Sequence, residues 1–152
     1  MDEGAILELV RGFENGTWPV KEWKHTHHLI LAASYILDGD DGLERLRLGI
    51  PRYNVSQGGA NTEDSGYHET LTCFWYWLIR GFIGQLPAGL SRAEVVRRVV
   101  DAYAPQRDLF RRYYDFDVLK SREARAVWIP PVGGMPGKDL PMPERAQSTV
   151  PA

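Results

Sequence analysis

Three of the four histidines in this chain fall within four positions, His25, His27 and His28, in the run Glu22–Leu29 (EWKHTHHL). The fourth, His68, opens a second short run, Tyr67–Thr72 (YHETLT). Imidazole is both a common metal ligand and the side chain that titrates nearest neutral pH. Successive helical residues turn by about 100°, so His25 and His28 lie roughly 60° apart on one side of a helix. Glu22, one turn earlier, joins that side, whereas His27 falls on the opposite, exposed one. His68 shares a helical face with Leu71, Thr72, Trp75 and Ile79, which points it toward a core. Two such helices meeting would place His25, His28 and His68 around one divalent transition metal. Fe, Cu and Zn all accept imidazole, as do Ni and Mn, so the residues do not choose the ion. Glu69 is turned about 100° from His68, which suits an acid/base group or a partner that orients an imidazole. Tyr67 and Thr72 are placed to hydrogen-bond a substrate, and the helix N-terminus would favour an anionic group.

The expected function is therefore a metal-dependent enzyme acting on a small molecule. Oxygen-dependent chemistry would follow with iron or copper, and hydrolysis or elimination with zinc. An unmetallated version would move a proton through a His–Glu pair. The alternative is a non-catalytic helical module that binds a small ligand or a protein partner, with its histidines packed structurally.

The elements that must position these groups read as helices throughout. Ile6, Leu9, Val10 and Phe13 have helical spacing over Ala5–Phe13, and Asn15-Gly16 supplies the stop. Thr17 and Pro19 predict the start of a second helix over Val20–Leu37, ended by Asp38-Gly39-Asp40. A third begins near Asp41 and carries Leu43, Leu46 and Ile50, with Pro51 expected to kink or end it. The polar run from Val55 to Gly66 predicts a loop. Ser65 would cap a fourth helix over Gly66–Gln85, apolar nearly all round and so central to the bundle. Ser91 and Glu94 predict a capping box for a fifth over Arg92–Ala104. Pro105 restarts a turn or two through Tyr113, and Ser121–Val127 predicts a last short helix. Cys73, Trp75 and Trp77 are expected in the core, and Arg97, Arg98, Arg111 and Arg112 on solvated faces. The class is all-α: an irregular bundle of five or six helices over residues 1–129, followed by an extended proline-rich tail over 130–152 that wraps the surface through Trp128 and Ile129.

Composition narrows the function classes. Among 152 residues, 43% are hydrophobic and 25% charged, ordinary values for a globular domain with a sizeable core. A net charge of -2 argues against a nucleic-acid surface, which needs a clustered basic excess. One cysteine forms no internal disulfide, the acidic N-terminus lacks a signal-peptide pattern, and Arg80 interrupts the most apolar run. A cytoplasmic protein with a small-molecule substrate and neither membrane nor nucleic-acid partner is expected, with room for a homodimer. No glycine-rich phosphate loop, Ser-His-Asp order or paired CxxC motif is present.

Three elements together resemble a group of small bacterial helical proteins. They are an H-x-x-H-L element (His25–Leu29), a YHET[LI]T element (Tyr67–Thr72) and an S-x-E-A-R...W segment (Ser121–Trp128) before proline-rich sequence. The resemblance spans about Trp23 to Pro131, and its YHET run is the more specific part. It implies an all-helical domain with these histidines functionally placed, and it implies no particular reaction. This chain departs from the pattern at Pro51, where relatives keep an unbroken third helix, and at Pro131, where they carry an acidic residue.

Overall fold

The computed structural model describes residues 1–134; residues 135–152, most of the expected proline-rich tail, lie outside it. Among the described residues six α-helices occur in the order α1 (Glu3–Asn15), α2 (His25–Asp38), α3 (Gly42–Ser56), α4 (Glu69–Gly84), α5 (Arg92–Tyr103) and α6 (Arg122–Ala126). There is no strand among the described residues, and the class is the expected all-α bundle. Short 3₁₀ turns at Val20–Glu22, Ala104–Gln106, Leu109–Tyr113 and Val118–Lys120 join or follow them. None of these helices is long and apolar enough to cross a membrane.

Helix α2 packs against α1, α3, α4 and α5, which is why Leu29 to Tyr35 are all buried. Two hydrophobic clusters form around this frame. The first gathers Ile6, Leu9 and Phe13 of α1, the buried run of α2, and Val96 and Val99 of α5. The second gathers Cys73, Phe74 and Leu78 of α4 with Phe110, Tyr114, Val118, Ala124 and Trp128. Helix α4 serves both, since Tyr76 and Ile79 belong to the first cluster. That double duty explains its nearly continuous apolar surface.

Several boundaries depart from the periodicity, and each has a local cause. The second helix is interrupted: Trp23 and Lys24 are extended between the Val20–Glu22 turn and His25, because Trp23 turns inward to stack on Phe13 at 5.3 Å between ring centroids. Pro51 lies inside α3, which runs on to Ser56. Asn61 donates through Nδ2 to the Pro51 carbonyl at 3.0 Å. The fourth helix starts later than expected, at Glu69, and Ser65 bonds Thr62 instead of capping it. At α5, Ser91 does cap, accepting from the Glu94 amide at 3.2 Å. Trp128 does not lie on the surface; it is fully buried in the second cluster.

Candidate small-molecule site

Gly66 brings the chain into α4 with φ +83, the left-handed region that favours glycine. A β-carbon there would also strike the Ala60 carbonyl oxygen. Two residues on, His68 is the N-cap of α4 and not part of its first turn: its backbone is extended and Nδ1 accepts from the Leu71 amide at 3.2 Å. Its Nε2 lies 2.8 Å from the Val118 carbonyl. A carbonyl only accepts, so the ring is the Nε2–H tautomer and both of its nitrogens are engaged. Burial lowers its pKa, partly opposed by the Val118 carbonyl.

Glu69 follows, and it faces inward, not toward a substrate. Its side chain is fully buried. Arg47 reaches it through Nη2 at 2.8 Å and Nε at 3.0 Å, and Tyr67 donates its hydroxyl to Oε1 at 2.5 Å. Cys73 Sγ donates to the other oxygen at 3.5 Å. The structure places Glu69, expected as an acid/base group at the site, as the buried carboxylate partner of Arg47. Burial and the adjacent Glu69 push both the Tyr67 hydroxyl and the Cys73 thiol well above their usual ranges. The Tyr67 hydroxyl is committed to Glu69, and Thr72 donates its hydroxyl to the His68 carbonyl at 2.8 Å. Neither hydroxyl proton is left over for a substrate.

The start of α2 is organised by Trp23. Its Nε1–H donates to His28 Nε2 at 2.9 Å, with the rings edge to face at 5.4 Å. His28 is therefore neutral with its proton on Nδ1, and the nitrogen that a metal would ordinarily take is occupied. His28 is surrounded by protein yet keeps open surface toward the cavity it lines. Burial, with His25 and His27 adding, lowers its pKa to about 4. His27 is not the exposed bystander expected. Its Nδ1 accepts from the Lys24 amide at 3.0 Å, and its half-buried ring lies 5.6 Å from Trp18 and 5.4 Å from Trp23.

His25, at the first position of α2, is engaged on one side only. Its Nε2–H points to the Tyr103 carbonyl at 3.3 Å, and its ring meets Trp75 edge to face at 4.9 Å. That tautomer leaves Nδ1 unprotonated, without a hydrogen-bond partner among the described residues. Burial lowers the His25 pKa; the Tyr103 carbonyl opposes this, the Arg107 charge adds to it, and Asp108 opposes it. His25 is a neutral base at neutral pH.

These groups share one cavity of about 540 Å³. His25, His28, Tyr67, His68 and Thr72 all line it, as do the expected α4 face residues Leu71, Trp75 and Ile79. Leu29 and Ala32 of α2 and Leu46 and Ile50 of α3 add apolar wall. Helical periodicity is silent on the remaining side, where Arg107, Asp108, Phe110, Arg111 and Leu119 come from the irregular segment after α5. Arg111 is exposed as expected, yet it borders the cavity.

The three histidines expected as metal ligands thus reach one cavity without forming a chelating set. Among the described residues no group of three or more His, Cys, Asp or Glu side chains is arranged to hold a metal ion. His68 has no free nitrogen, and His28 Nε2 is held by Trp23. With these nitrogens engaged, the residues present do not fit a metal. Comparisons with family models, curated proteins and solved structures give no match to this chain.

Proposed function

We propose that this chain takes a small molecule into the histidine-lined cavity and that His25, as a neutral imidazole, accepts a proton from it. The observation that carries the reading is the asymmetry among the histidines. His68 and His27 cap helices and His28 is held by Trp23, whereas His25 is oriented by the Tyr103 carbonyl with Nδ1 left as a base. A fixed tautomer beside a pocket of mixed apolar and polar lining is the arrangement general-base chemistry uses. A volume of about 540 Å³ suits a molecule of metabolite size. His28 and His68 shape the polar wall, and Trp75 supplies a flat apolar face beside His25.

The test is a titration of the ¹⁵N-labelled chain with mixed aromatic and aliphatic acids, amides, alcohols and amines. Shifts confined to residues 25–32, 66–79 and 107–119 are expected. No such shift at millimolar concentration for any chemical class overturns the reading. Once a ligand that turns over is found, His25→Gln separates the two halves of the proposal. Glutamine keeps a donor for the Tyr103 carbonyl but offers no base, so binding should persist while turnover falls by about 100-fold or more. The metal-dependent alternative requires Trp23 to release His28 and Val118 to release His68; a stoichiometric metal lost on substitution of either histidine would favour it.

A further inference from the structure

The lining also bears on what kind of molecule enters. Its histidines are neutral, so the formal charges on the cavity wall are those of Arg107, Asp108 and Arg111. Arg111 already shares two carboxylates, Asp108 at 3.7 Å and Asp117 at 3.9 Å. Arg107 is exposed and makes no hydrogen bond or ion pair with any described residue, although its charge is felt by His25. Among the described residues, the cavity therefore carries one uncommitted cation, Arg107, beside one uncommitted base, His25. Away from this edge the wall is apolar, with Leu29, Ile50, Trp75 and Ile79 among its residues.

We infer that the ligand is a monoanion, a carboxylate on a ring-sized apolar body, with the carboxylate paired to Arg107 and the body laid against Trp75. This rests on the small-molecule reading above and names its ligand class. Guanidinium matches a carboxylate in a planar two-point pairing, and with only one free cation the wall suits a single negative charge better than a phosphate dianion. Apolar burial would supply the rest of the affinity. Burial is the main cause of the lowered His25 pKa, and an anion at Arg107 offsets the smaller part that the Arg107 charge adds, so binding and proton uptake at His25 reinforce one another.

The experiment compares phenylacetate, phenylacetamide, phenethylamine and inorganic phosphate on the full chain and on Arg107→Gln, with Arg97→Gln as an exposed control. Binding is read from Trp75 and His25 shifts. Phenylacetate should bind the unaltered chain more tightly than its amide. Arg107→Gln should weaken phenylacetate by about 10-fold or more, since a hydrogen bond to a charged group contributes about 1.5–3 kcal/mol. The amide should change little, and Arg97→Gln should change neither. Equal binding of acid and amide, or indifference to Arg107→Gln, overturns the carboxylate assignment and leaves the small-molecule reading standing. Preferential binding of the amine or of phosphate likewise overturns it. No shift with these four or with the wider mixture removes both.

Discussion

At the scale of single residues, the identity of a hydrogen-bond partner decides what each histidine does. Trp23 fixes His28 as an acceptor, and carbonyls fix His25 and His68 as donors. All four histidines have lowered pKa values, chiefly through burial. The unfolded chain, with ordinary imidazoles, therefore binds more protons than the folded one below about pH 6.5. Stability is fully present above that value and declines as pH falls through the window beneath it, which urea unfolding between about pH 7.5 and about pH 5 would register as a falling midpoint. His28→Gln should flatten that dependence. Trp23→Phe keeps the stacked ring and removes the donor. It should cost about 0.5–1.5 kcal/mol and raise the His28 pKa, both readable by urea unfolding and imidazole NMR.

Between elements, the N-terminus of α4 is held by contacts that helical periodicity does not encode. Arg47 of α3 pairs with Glu69, and Thr70 donates to the Val127 carbonyl at 2.7 Å while accepting from the Ile129 amide at 3.0 Å. Arg125 donates to the Gly66 carbonyl at 2.9 Å. The segment carrying α6 is thus strapped to the YHET run, which accounts for both runs without giving either a catalytic role. Arg47→Met leaves Glu69 as a buried charge without its partner and should cost about 3–5 kcal/mol in chemical unfolding. Thr70→Val removes the partner of a half-buried carbonyl and a half-buried amide and should cost about 1–3 kcal/mol in all. Neither substitution touches His25. The ligand-binding constant of the fraction that remains folded should therefore change little.

For the molecule as a whole, the helices were legible because apolar spacing is a local signal: α1, α5 and α6 sit within a few residues of their predicted bounds. Cap identity was less legible. Ser65 and Thr17 are good caps by type, but His68 and Lys24 occupy those positions because Gly66 and Trp23 set the backbone there. The shared cavity was partly readable, since the two histidine runs do face one another across α2 and α4. Arg107, Asp108 and Arg111 were not, because a chain segment of short 3₁₀ turns has no periodicity to project. Trp128 anchors this segment's second cluster, and Trp128→Ala should cost about 3–5 kcal/mol by urea unfolding and loosen the Arg107 side of the cavity with it.

The measurement that bears most directly on the cavity's chemistry is the imidazole nitrogen spectrum of the intact chain at neutral pH, before and after one equivalent of Zn²⁺. The geometry predicts four neutral rings, with His25 and His68 protonated at Nε2 and His28 at Nδ1, all unmoved by the metal. Metal-bound shifts at two or more of His25, His28 and His68, saturating at one ion per chain, would contradict it and restore a metal centre.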